Sequence, residues 1–190
     1  MRARLIPAVL LLGLTLGCAG PSPKPVEVLD ERTGVTLGAL KEPIELLPSA
    51  QGESLIAHKR ITFAYLGPVE WNRSGAFSYG LWVHIAPGDD RPLGDIHAAG
   101  AVTLILDDGP LTLSAIEPPA LGRPPYQQVV SWGQIGYFDL SIDSLRRMAA
   151  SGKLELDVRA VDGSVIGFSP TRESHTALTE YLEARGISAD

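Results

Sequence analysis

The chain has 190 residues, 45% of them hydrophobic, and its 16 basic and 22 acidic side chains give a formal charge of −6. A nucleic-acid binder of this size would carry a basic stripe with interleaved aromatics, and only Lys59-Arg60 and Arg146-Arg147 place like positive charges side by side, as solvated surface pairs do. A single cysteine, at position 18, excludes an internal disulfide framework and a thiolate metal cluster.

The first segment reads as an export signal. Arg2 and Arg4 form a positive start, Leu5 to Gly17 is mostly apolar, and small residues flank Cys18. The run falls short of the roughly 20 apolar residues that a membrane-spanning helix needs, and Pro21, Pro23 and Pro25 block its extension. Leu14-Thr15-Leu16-Gly17-Cys18 resembles the lipobox of bacterial lipoproteins, with Thr15 where that family most often carries leucine. The resemblance implies that residues 1–17 are a signal peptide removed by cleavage, and that Cys18 becomes the first residue. Its thiol then carries diacylglycerol and its amine a further acyl chain such as palmitate. It also implies an address. Aspartate after the cysteine tends to hold such proteins in the inner membrane, and Ala19 is not aspartate, so the expected place is the outer membrane, facing the periplasm by default. The other reading of the segment is an ordinary secretory signal followed by an incidental cysteine.

Removal of residues 1–17 leaves 14 basic and 22 acidic side chains, a formal charge of −8, which argues against the folded part clinging to anionic lipid. Residues 18–25 form a lipidated, proline-rich tether, and Ala19–Pro25 spans only about 22 Å in polyproline geometry. Residues 26–190, about 165 in number, suffice for one core, so a single β-rich domain is expected.

From Val26 the dominant period is two. Val26–Asp30 leads through Thr33-Gly34 into Val35–Leu37 as a hairpin, and residues 43–47 and 54–57 are weaker strand candidates. Ile61, Phe63, Tyr65, Val69 and Trp71 share one strand face; after the Asn72–Gly75 turn, Phe77, Tyr79, Leu81, Val83 and Ile85 share another. A Gly/Pro/Asp-rich loop over 87–100 precedes a second hairpin, in which Val102, Leu104 and Leu106 meet Leu111, Leu113 and Ala115 across Asp107–Pro110. A further strand lies within Gln128–Phe138, where Gly133 and Gly136 suggest a bulge or a close backbone approach.

The period then changes. Ile142, Leu145, Met148 and Ala149 form a helical stripe, with Ser141 or Asp143 as N-cap and Gly152 as terminator. Leu154, Leu156, Val158 and Ala160 alternate with charged residues in a half-buried strand, and Asp162-Gly163 predicts a two-residue turn into Ser164–Phe168. Ser169-Pro170 is expected to open a last helix that Gly186 closes, its stripe being Ser174, Ala177, Leu178, Tyr181 and Leu182. The expected architecture is mainly β: an antiparallel, two-sheet, sandwich-like domain with two helices in its C-terminal part.

The sequence carries none of the compact signatures of nucleophile elbows, zincins, P-loops, dinucleotide sites or EF-hands. No cofactor is implied, and no catalytic or metal-binding residue is assigned. Trp82 and His84, on one strand face, define either a small groove or, as the favoured reading, a surface or sheet-packing position for the histidine; His97, in a loop with Asp89, Asp90 and Asp95, has the donor types for Zn²⁺ or Ca²⁺, against the favoured reading of a solvated, turn-forming acidic loop. His58 and His175 have no evident partner. Trp71, Tyr79, Trp82, Trp132 and Tyr137 form either a glycan or peptide platform or simply strand core. The leading expectation is a non-catalytic binding or structural component of the envelope, holding a protein or glycan partner near the membrane. The alternatives are an envelope hydrolase or metal-dependent enzyme built on His84 or His97, and a small-molecule or lipid carrier with an apolar cavity.

Overall fold

The computed structural model describes residues 24–49, 62–88, 92–171 and 174–188. Cys18 and most of the tether lie outside the described residues, as do the expected 54–57 strand, His58, Lys59-Arg60 and Asp89-Asp90. In chain order the elements are β1 (Pro25–Asp30), β2 (Val35–Leu40), β3 (Ile44–Pro48), β4 (Phe63–Arg73), β5 (Ala76–Ala86), β6 (Val102–Leu106), β7 (Gly109–Thr112), β8 (Ala115–Ile116), β9 (Gln134–Asp139), α1 (Ile142–Ala150), β10 (Leu154–Arg159), β11 (Val165–Pro170) and α2 (Ser174–Ala184). The domain is mainly β, antiparallel throughout its pairings, with both helices in the C-terminal part.

All eleven described strands belong to one hydrogen-bonded sheet, in the order β7-β6-β10-β11-β3-β4-β5-β9-β8, with the β1–β2 hairpin branching from β4. β7 and β8 stand at opposite ends of that path, yet only Leu113 and Ser114 separate them in sequence. Leu113 N–H donates to the Val102 carbonyl beside β6, and the Ser114 carbonyl accepts from Asp139 N–H beside β9. Two residues reach about 7 Å, so the two ends of the sheet must come together, and the sheet curls into a half-barrel. The two expected layers are thus the arms of one continuous sheet.

Strand alternation gives this sheet two buried faces. On one, Leu66 of β4, Leu81 and Val83 of β5, Leu104 of β6, Leu156 of β10 and Phe168 of β11 join both helices in the larger core. On the other, Leu37 and Ala39 of β2, Val69 and Trp71 of β4 and Trp82 of β5 form a smaller core with Tyr126 from the β8–β9 connection.

Local chemistry sets the ends of the elements. The β4–β5 turn is Ser74-Gly75, both at positive φ, with the Asn72 side chain accepting from Gly75 N–H (2.8 Å), as a two-residue hairpin requires. Ser141 caps α1 by accepting from Ser144 N–H (3.0 Å). The helix ends at Ser151 rather than at the expected Gly152, whose N–H donates instead to Asp107 (2.7 Å). The expected two-residue turn at Asp162-Gly163 is a three-residue one: Ala160 N–H bonds the Ser164 carbonyl, and Gly163 takes the left-handed conformation. Ser169-Pro170 does not cap α2. These residues extend β11, because Ser169 and Pro170 pair with Leu47 and Leu46 of β3, and the helix begins at Ser174. Its far end is as expected: Gly186, at φ +67°, donates to Glu183, and Ile187 to Leu182, which together make a Schellman cap.

Candidate functional site: a cleft beneath a proline-rich strap

β4 is longer than any single partner on its outer side. Its C-terminal half pairs with β2 and its N-terminal half with β3, and the 41–43 bend between those strands leaves a fork where pairing lapses beyond Ala39 and Val69. Two backbone groups would be left without partners there. Tyr126 supplies them: its hydroxyl accepts from Leu40 N–H (3.0 Å) and donates to the Pro68 carbonyl (3.0 Å). Its ring occupies the space over Gly67, where an added Cβ would lie 2.4 Å from a ring carbon. Burial pushes the Tyr126 phenol far above its ordinary pKa, so it stays a neutral donor.

Tyr126 anchors the middle of a strap, residues 121–133, laid across this face of the sheet. The strap starts at the β1–β2 turn, where the Leu121 carbonyl accepts from Arg32 (3.0 Å) and Gly122 N–H donates to Asp30. That Gly122 amide, with smaller help from Thr33 and Arg32, holds the Asp30 carboxyl below its usual pKa. The strap ends against β5, with Gln128 donating to the Gly133 carbonyl (3.0 Å) and Gly133 N–H to Val130 (3.3 Å).

Between strap and hairpin lies an open cleft of about 1150 Å³. The hairpin supplies Val26, Val28, Leu37 and Ala39 to it, and the strap supplies Pro124, Pro125 and Val129. Polar groups ring the apolar part: Lys41 and Glu42 from the bend, Arg123 from the strap, and Tyr65, whose hydroxyl donates to Glu45 (3.4 Å). β1 borders the cleft and, among the described strands, pairs with β2 alone. The bond from Lys41 N–H to the Lys24 carbonyl sets the alternation, so the N–H and C=O of Glu27 and Leu29 face away from β2. Val28 and Leu29 are 51% and 58% exposed, on opposite faces of this edge strand. The strand expected over Ser164–Phe168 offers no such edge, because β11 lies between β10 and β3.

The residues singled out from the sequence are not brought together. Trp82 and His84 are both 0% exposed, so the face that they share is the second core and not a surface groove. The Trp82 ring lies 4.9 Å from Tyr126 and 5.9 Å from His84; the His84 ring stacks on Tyr65 at 6.4 Å and meets Phe63 edge-on at 6.1 Å. Among the described residues neither His84 nitrogen has a hydrogen-bond partner. Desolvation lowers its pKa, against a smaller opposing pull from the nearby Val130 carbonyl, so the ring is neutral near pH 7. His97 is exposed in its loop and bonds only locally, to Asp95 (3.2 Å), whose carboxyl is held low chiefly by His97 N–H. His175 bonds the Ala149 carbonyl at the end of α1. Among the described residues no three His, Cys, Asp or Glu side chains converge on a possible metal position. Of the aromatics weighed as a platform, Trp71 joins Trp82 in the second core, and Trp132 is 43% exposed.

Behind the hairpin, on its opposite face, Arg185 ties α2 to β1. Its side chain is 5% exposed, bonds the Val26 carbonyl (2.6 Å) and Glu27 (3.2 Å), and lies 5.3 Å from the Tyr181 ring centroid. It fills the space over Gly38, where an added Cβ would be 2.5 Å from the guanidinium carbon. Tyr126, the strap and Arg185 are the site's framework, and the proline run before Tyr126 is the only trace of them in the sequence. Comparisons with family models, curated proteins and solved structures find no match to this chain. What the protein does must then be read from the chemistry of the cleft.

Proposed function

We propose that this protein is a lipid-anchored, non-catalytic binding component of the bacterial cell envelope. Cys18 joins it to the membrane, with the outer membrane and the periplasmic side as its place, and the cleft holds an extended segment of a partner polypeptide. The observation that carries this reading is a free strand edge beside an apolar cleft. The outward amides and carbonyls of Glu27 and Leu29 offer ladder hydrogen bonds, and alternate side chains of an added strand enter the cleft beside Val26 and Val28. Charges of both signs ring the cleft, Arg32, Lys41 and Arg123 beside Asp30, Glu31, Glu42 and Glu45, so the strand edge and the apolar lining carry the recognition, with no net preference for acidic residues. A second reading, a carrier of small molecules or lipids, draws on the same 1150 Å³ and apolar lining. A histidine-based enzyme gains less support, because His84 has no carboxylate or hydroxyl in hydrogen-bond reach among the described residues, and His97, which does meet the Asp95 carboxylate, is exposed and does not line the cleft.

The test is a photo-crosslinking side chain placed at Val28 in the full chain in its native envelope, with Val161, 68% exposed on the β10–β11 turn, as the control position. The expected result is a polypeptide adduct from Val28 only, lost when Leu29→Pro removes an outward N–H. An acyl-chain adduct would support the carrier reading instead, and no adduct above the Val161 control would end both.

A further inference from the structure

His84 is a buried imidazole sealed by the strap. An added Cβ on Gly133 would lie 2.1 Å from Nε2, so the glycine backbone closes directly on that nitrogen. Resting on the cleft reading for its consequence, we propose that His84 is an acid-operated latch, whose protonation drives the 130–133 end of the strap off β5 and loosens the cleft. A neutral imidazole suits this site, whereas an imidazolium there would be a desolvated cation with no counter-charge among the described residues, and the pull of the Val130 carbonyl on it is smaller than the desolvation cost. The groups that face it are Phe63 and Tyr65 from β4, Trp82 from β5, Ile135 opposite on β9, and Val130 and Gly133 from the strap. The titratable ones nearby, among the described residues, are phenols. Burial raises Tyr65, Tyr126 and Tyr137, the last to about 12, so all three stay neutral on acidification. The nearest carboxylate in this chain of contacts, Glu45, is held by the Tyr65 hydroxyl and makes no bond to the imidazole.

Protonation therefore favours a state in which the ring reaches water. β4, β5 and β9 hold three sides through strand pairing, and the strap is the side without a ladder. Movement there reaches the cleft by two short routes. His84 stacks on Tyr65, and it touches Trp82, which touches Tyr126; Tyr65 and Tyr126 both line the cleft. The latch is thus coupled to the site through contacts already present.

Amide hydrogen exchange on the purified full chain, corrected for intrinsic chemistry, reads the latch with no ligand present. The expected result is that the Gly133 and Leu40 amides, bonded to the Val130 carbonyl and the Tyr126 hydroxyl, lose protection below pH 6.5, by up to about tenfold per pH unit, while the strand-paired amides of β4 and β5 keep theirs. His84→Leu should flatten the profile with the strap closed, and His84→Asn, similar in size and unable to titrate, should flatten it too. Gly133→Ala should expose the same amides already at pH 7.5. Strap protection that stays flat down to pH 4.5, or that falls equally in both His84 variants, would overturn the latch. The two readings fail separately: a strap that opens over a cleft giving no Val28 adduct sinks the polypeptide reading alone, and a Val28 adduct with a strap that never opens sinks the latch alone.

Discussion

At the fork between β2 and β3, one phenol hydroxyl takes the place of a strand, and the position shows how a single side chain fixes the site. Removing the Tyr126 hydroxyl with Tyr126→Phe leaves Leu40 N–H and the Pro68 carbonyl buried and unpaired, at about 2–3 kcal/mol in urea unfolding. Gly67→Ala should cost about 1–3 kcal/mol by pushing the same ring away, although its backbone needs no special angle. The opposite sign is expected at Ser74, the only described non-glycine residue at positive φ (54°): Ser74→Asn restores the preferred Asn-Gly pair and should stabilise by about 0.5 kcal/mol. His84 sets a pH dependence. Its folded pKa is depressed below the ordinary 6.5, so its contribution is fully present above pH 6.5 and is lost as pH falls toward the folded value. Stability measured from pH 8 to 5 should decline on the acid side of 6.5, and the decline should shrink in His84→Leu.

Among the elements, α2 is docked by its C-terminal end. Arg185 carries the contact to β1, and the absent side chain at Gly38 makes room for it. Gly38→Ala displaces a guanidinium already paired with Glu27 and the Val26 carbonyl, and a loss of about 2–4 kcal/mol is expected, with α2 amides exchanging faster than those of β4. These elements differed in how openly the sequence announced them. The β4–β5 hairpin was plain, because two long alternating runs flank Asn72–Gly75, and α1 was plain from Ser141 and its stripe. Pro170 ends a strand instead of opening a helix for a physical reason: a fixed φ suits a helix's first turn and a strand's last residue alike, and only the β3 partner, distant in sequence, decides between them. The burial of Trp82 and His84 is likewise hidden from the sequence, since alternation shows that a strand has two faces and not what covers the second.

At the scale of the molecule, the mainly β, antiparallel character followed from the period-two runs, whereas the curl did not. It depends on Leu113-Ser114 passing between the two ends of the sheet, and no local preference encodes that. The strap was legible only as irregular, proline-rich chain before Tyr126, because the groups that it joins lie 86 and 58 residues away. Function depends on where this assembly sits. The proposed function ties this cleft, which opens beside β1, to a membrane through Cys18. The most direct measurement is therefore the intact mass and N-terminal peptide spectrum of the protein purified from its native membrane. The account predicts a chain that begins at Cys18 and carries two or three acyl groups; an unmodified Cys18 thiol on a chain that still begins at Met1 would contradict it.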